Sequence, residues 1–148
     1  MITHKLDLEP EVHDQDVICV HTSLPAYLFV FQLNRLLGLS LFRNKEDLSL
    51  SSAHHRFAVY EYHCDVMQQT WRVIENHFNT TKAESEISLF AQSEQRFSLF
   101  PELEQTDLLI CVNGLTDAVL KKITAIRRVI SCYRLPKKLN NIKEQLTF

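Results

Sequence analysis

Two glycines in 148 residues is the sharpest absence in this chain. With only Gly38 and Gly114 available, neither the G-x-x-x-x-G-K-[ST] phosphate loop nor the G-x-G-x-x-G dinucleotide turn can be written, and G-x-S-x-G is missing as well. The usual phosphate cradles and the serine nucleophile elbow are therefore excluded. Cys19, Cys64, Cys111 and Cys132 form no C-x-x-C pair, and three of the four lie inside apolar, strand-like runs. Buried reduced thiols acting as small hydrophobes are the expectation. No repeat, low-complexity tract or Pro/Gly/Ser linker interrupts the chain, so residues 1–148 read as a single domain. The opening MITHKLDLEPE lacks a basic stretch followed by an apolar one, so no signal peptide is expected. Val17–Asn34 contains no Asp, Glu, Lys or Arg and approaches transmembrane length. Ser23-Leu24-Pro25 breaks that run, and His21, Gln32 and Asn34 are polar, so no membrane span is expected and the predicted location is the cytoplasm.

What is present is an ordinary globular composition, with 45% hydrophobic and 23% charged residues. A chain of this size removes roughly 70% of its unfolded surface from water. The net charge of −2 gives no overall pull toward nucleic acid or membrane. The charge is unevenly placed, however. Lys121, Lys122, Arg127, Arg128, Arg134, Lys137 and Lys138 occur with no acid between them, whereas Glu84, Glu86, Glu94, Glu102, Glu104 and Asp107 face one Arg96, and the N-terminal segment holds Asp7, Glu9, Glu11, Asp14 and Asp16. The plain reading is solvated faces that pair with one another in the fold. The sharper reading is a basic face for an anionic partner such as RNA. Only Tyr133 interleaves with those cations, so such a face would contact phosphates rather than read bases.

Along the chain, His4–Leu8 alternates as an edge strand would, and Val17–Thr22 is a short apolar run that reads as a buried strand. Pro25 suits the first turn of a helix and Gly38 its left-handed end, giving a helix from Pro25 to about Leu37. It is apolar nearly all round, so either the domain wraps it or Tyr27, Leu28 and Phe31 meet another protein or a second copy. Leu39–Leu50 reads as extended. Arg56–Tyr62 and Thr70–Asn76 read as a hairpin joined by Cys64–Gln69, with aromatics expected on its surface. Asn79–Glu86 reads as a polar loop, and Phe90–Phe100 alternates weakly. Leu108–Val112 is a central strand covered on both faces. Thr116 can cap a helix carrying Val119, Leu120, Ile123, Ile126 and Ile130, before a strand at Val129–Leu135 and a short helix in the tail. The predicted class is α+β: one mainly antiparallel sheet with two principal helices packed on it. The closing strand–helix–strand unit is similar to the second half of ferredoxin-like and ACT-like domains, a likeness that implies no ligand.

Four patches of the chain resemble the small bacterial proteins named for an I-P-E-x-x-x-V-D-Y motif. Phe100-Pro101-Glu102-Leu103-Glu104-Gln105-Thr106-Asp107-Leu108 keeps Pro101, Glu102 and Asp107 and departs at Phe100, Thr106 and Leu108. Leu33-Asn34-Arg35-Leu36-Leu37-Gly38-Leu39, then Arg43 and Asp47-Leu48, resembles the family's L-N-K-x-L-G-L segment. Phe57-Ala58-Val59-Tyr60-Glu61-Tyr62 resembles its F-x-x-Y-E-Y strand, and the tail ending in Phe148 is also similar. The resemblance implies a cytosolic bacterial protein without an assigned chemistry. Physically the motif reads as architecture, with Pro101 holding Phe100 extended and Glu102 and Asp107 accepting from backbone N–H groups; a surface recognition site is the alternative.

No catalytic, cofactor or metal residues can be assigned. His54-His55 and His63-Cys64 flank a strand and stand too far apart for one site, and His21 near Cys19 lacks a second pair. Glu61, Glu75, Glu102 and Asp107 show no spacing that argues for paired acid–base work. The expected function is non-enzymatic: a protein–protein interaction or self-associating module, with an RNA-associated accessory as the alternative and an enzyme of unknown chemistry third. No small-molecule substrate is identified.

Overall fold

The computed structural model describes residues 15–48, 56–81 and 94–146. In chain order these form β1 (Gln15–Thr22), α1 (Ala26–Leu37), β2 (Phe42–Arg43), β3 (Val59–Cys64), β4 (Gln69–Glu75), β5 (His77–Thr81), β6 (Glu94–Ser98), β7 (Leu108–Asn113), α2 (Asp117–Thr124), β8 (Val129–Arg134) and α3 (Asn140–Gln145). Short 3₁₀ turns occupy Pro101–Leu103 and Lys137–Leu139. The expected edge strand at His4–Leu8, the pair His54-His55, the acids Glu84 and Glu86, and Phe148 lie outside the described residues.

The two apolar runs, β1 and β7, sit side by side inside a six-stranded sheet of order β2-β3-β4-β7-β1-β8. All of its pairings are antiparallel. Because β1 lies between β7 and β8 and opposes both, β7 and β8 run parallel and are linked through α2. Likewise β1 and β4 are parallel, separated by β7, and linked through α1 and the β2–β3 addition. Two interleaved strand–helix–strand units of this kind are the ferredoxin-like arrangement. The α+β expectation therefore holds, in one compact domain.

Alternation along each strand sends side chains to two separate cores. On one face, Ile18, Val20, Trp71, Val73, Ile110 and Val112 pack with Phe29 and Leu33 of α1 and Ile123 of α2. On the other, Val17, Cys19, Ile74, Leu109 and Cys111 pack with Phe100 and Leu103 of the Pro101 turn and with Ile142 and Leu146 at α3. Each fully buried Leu, Ile or Phe contributes about 1.5–3 kcal/mol relative to exposure. The tail helix thus closes the face opposite the two principal helices.

The ends of α1 follow from its sequence. Pro25 stands at the N-cap with φ −59°, and Gly38 adopts φ 67° and donates its N–H to the Asn34 carbonyl. The Asn34 side chain then holds the departing chain, donating to the Leu41 carbonyl at 3.1 Å and accepting from the Leu41 N–H at 2.9 Å. At the start of α2, Thr116 Oγ1 accepts from the Val119 N–H, as its position suggested.

Several expectations are corrected. The α2 helix stops at Thr124, the chain tightens through an Ile126 N–H to Ile123 carbonyl bond, and Arg128 takes φ 77° to enter β8. Ile130 therefore belongs to an edge strand, 76% exposed, and not to the helix. Residues 79–81, read as part of a loop, lie in β5, which pairs with β6. The hairpin aromatics are not on the surface: Phe57 and Trp71 are buried, and Tyr60 and Tyr62 are half-buried against the core.

Candidate functional site

The helix α1 is not wrapped by the domain. Ala26, Phe29, Val30 and Leu33 are buried, whereas Tyr27 (63% exposed), Phe31 (53%), Leu36 (43%) and Leu28 (37%) stand in solvent on the other side. Of the two expectations, wrapping by the domain is not seen among the described residues: α1 is buried on one side, with an apolar outer face left open. The Arg35 guanidinium lies 5.7 Å from the Phe31 ring centroid, a cation–π contact that fixes the centre of that face.

Below the end of α1 is a cavity of about 320 Å³ between that end, the start of α2 and the β3–β4 turn. Leu36, Leu39, Met67, Trp71, Leu115 and Val119 line it, with Lys122 at its polar side. No sequence signal marked it, because its walls come from three separate stretches of chain.

The segment carrying the family resemblance folds around one side chain that sequence reasoning passed over. Asn76 is fully buried. Its Nδ2 donates to the Leu103 and Thr106 carbonyls at 2.8 Å each, and its Oδ1 accepts from the Phe100 N–H at 3.3 Å. Its backbone also accepts from the Leu99 N–H and donates to the Asp107 carbonyl. Phe100 is extended at φ −122° and ψ 111°, Pro101 opens the 3₁₀ turn, and Leu103 is buried. Asp107 Oδ2 accepts from the Thr22 N–H at 2.9 Å, tying the start of β7 to the end of β1. Glu102, by contrast, is exposed on the turn.

Asp107 also borders an open concavity of about 820 Å³ with His21, Glu104, Ser131 and Tyr133. His21 Nε2 lies 3.2 Å from Tyr133 Oη, and the two rings stack with centroids 5.7 Å apart. His77 Nε2 lies 3.8 Å from Asp107 Oδ1. His21 is thus turned to Tyr133, while Asp107 Oδ2 is held by the Thr22 N–H. The other carboxylates have separate duties. Glu61 accepts from Arg72 Nε at 2.7 Å across β3 and β4, and burial pushes the Glu75 carboxyl above its ordinary value.

The thiols are all free. Burial pushes Cys111 up to about 12 and Cys132 up to about 11, and raises Cys19 against a smaller lowering by its hydrogen bond with Thr106. Thiols so shifted are almost wholly protonated at neutral pH and poor nucleophiles. His63 contacts Thr70 and Asp65.

The basic residues do not form one continuous face. Arg134 is bound to Asp16 at 3.4 Å and Asp117 at 3.0 Å. Arg128 Nε donates to Ser23 Oγ, while its backbone carbonyl accepts from Thr22 Oγ1. Lys121, Lys122 and Arg127 are exposed near the end of α2, and Lys137 and Lys138 follow β8 at its other end. No helix among the described residues is long and apolar enough to cross a membrane. No protein-family model matches the chain, and a comparison with curated proteins finds no match.

Proposed function

We propose that this chain is a non-catalytic, cytoplasmic association module that pairs with a second copy of itself through the outer face of α1. The observation carrying this reading is that Tyr27, Leu28 and Phe31 are 37–63% exposed along one helix. At about 200 Å² for a whole aromatic side chain and somewhat less for a leucine, the exposed portions of Tyr27, Phe31 and Leu28 amount to about 300 Å², the lower end of the size at which a surface patch is often functional.

A second copy suits the patch because Tyr27, Leu28 and Phe31 share one side of α1, and the same stripe on another copy offers an apolar surface of matching length. Two α1 helices laid antiparallel bring the Tyr27, Leu28 and Phe31 stripe of each against that of the other, as an isologous contact requires, while Leu36, half a turn round the helix from Tyr27, stays with the cavity beneath the end of α1. The pair would bury about 600 Å², roughly a third of a standard interface, so association is weak and concentration-dependent. Sedimentation velocity over a wide concentration range tests this. The parent chain should move toward dimer as concentration rises, and Phe31→Glu should remain monomeric. A parent that sediments as a monomer throughout, indistinguishable from Phe31→Glu, overturns the reading.

A second reading rests on Lys121, Lys122 and Arg127, which have no acidic partner among the described residues. These cations would contact RNA phosphates, and reversing their charge should abolish any salt-sensitive RNA retention. We also propose kinship with the I-P-E-x-x-x-V-D-Y proteins. Supporting it are the structural duties of Phe100, Pro101 and Asp107, which shape one turn around Asn76.

A further inference from the structure

We propose that the cavity beneath the end of α1 binds a small amphipathic carboxylate, a straight-chain acid of about eight carbons. Its volume of about 320 Å³ falls at the lower end of small-molecule sites. At about 30 Å³ per non-hydrogen group it holds about ten such groups, the size of octanoate. Its walls are aliphatic, thioether and indole surface from Leu36, Leu39, Met67, Trp71, Leu115 and Val119, which offer a flexible alkyl chain contact on several sides.

The polar side of the cavity selects the head group. The two other polar lining side chains are already engaged, Gln69 with Trp71 Nε1 and the Asn113 carbonyl, and Thr116 with the Val119 N–H. Lys122 remains, exposed and without an acidic partner among the described residues. The nearby Asp117 carboxylate is drawn to Arg134 at 3.0 Å. An unpaired ammonium beside an apolar cavity favours an anion whose remaining surface is hydrocarbon, and disfavours an amine or a sugar.

Trp71 is the chain's one tryptophan and a wall of the cavity, so its emission reports occupancy directly. Titrating the full chain with octanoate should give a saturable change at one equivalent. Shortening the acid to heptanoate and hexanoate should weaken binding about fourfold per methylene, the equivalent of about 0.8 kcal/mol for each buried CH₂. Octanol and octylamine should bind several-fold more weakly than octanoate, and Lys122→Met should erase that preference while leaving the chain-length trend. Leu36→Phe, at a half-exposed position, should block binding without adding a second tryptophan; Val119→Phe provides a second occluding variant should the first perturb α1. Absence of a saturable response, or affinities indifferent to chain length, would overturn the proposal. So would a Trp71 signal that follows protein concentration and ignores octanoate, since a side chain of a second copy would then occupy the cavity. That last result would leave self-association standing, and a monomer that binds octanoate would do the reverse.

Discussion

Removing the Asn76 side chain should loosen the whole Phe100–Asp107 turn. Asn76→Ala deletes three hydrogen bonds, two donated to the Leu103 and Thr106 carbonyls and one accepted from the Phe100 N–H. At about 1 kcal/mol net for each, the loss is about 3 kcal/mol. The Leu103 carbonyl keeps its bond from the Thr106 N–H, so its desolvation adds little. The Phe100 N–H belongs to a residue only 3% exposed, and its lost acceptor pushes the cost upward. Against a total of about 5–15 kcal/mol for a domain of this kind, the change is large. It corresponds to a fall in Tm of about 6–12 °C at this chain length. Urea unfolding followed by Trp71 emission measures it. Asn76→Asp is the informative partner variant. Its carboxylate keeps an acceptor for Phe100 but sets a second oxygen against two carbonyls, so it should be at least as destabilising near neutral pH. It should recover as pH falls, because the buried acid holds its proton to higher pH than the unfolded one and the native state then binds more protons. If Asn76→Ala stays within about 0.5 kcal/mol of the parent, or Asn76→Asp is indifferent to pH, the turn is not organised by this amide.

Two further outcomes follow from single residues. Burial raises the Glu75 carboxyl above its ordinary 4.5, against smaller lowering by the Ala58 backbone and Arg43. The contribution is therefore present below that value and lost as pH rises through the folded value, so Glu75→Gln should flatten this decline and be the more stable form near neutral pH, as read from urea midpoints. Gly38→Ala meets no atom within 4 Å but must hold φ near 67°, so its cost should be purely conformational, about 1–2 kcal/mol, and Gly38→Asn should cost less in thermal melts.

The parts of the fold that could be read from sequence are those whose cause is local. Val17–Thr22 and Leu108–Val112 are continuous apolar runs because both faces of the sheet are covered, and they emerge as the paired central strands β1 and β7. Pro25 and Gly38 bracket α1 because each has a backbone preference that acts without neighbours. The remainder depended on distant partners. Ile130 continues a helical period, yet the left-handed turn at Arg128 places it on an edge strand. Asn76 looks like the polar end of a strand until a segment 24–30 residues further on wraps its amide. Composition marks α1 as apolar nearly all round, but only the packing of Phe29 and Leu33 shows that Tyr27, Leu28 and Phe31 stand on the open side. Arg134 read as part of a basic stretch, and pairing with Asp16 and Asp117 removes it from that set.

The position of β1 in the sheet bears on how the chain is made. Its VICV run is synthesised early, but its partners are Leu108–Asn113 on one side and Val129–Arg134 on the other. On the ribosome, an apolar β-prone segment therefore waits without a strand to pair with until the final third of the described chain has emerged. Such long-range closure is slow, and the waiting strand is the segment most open to pairing with another nascent chain. Yield from rapid overexpression should thus be limited by the delay before β7 and β8 arrive, and slower synthesis or early chaperone cover of residues 15–22 should favour the folded form over aggregate.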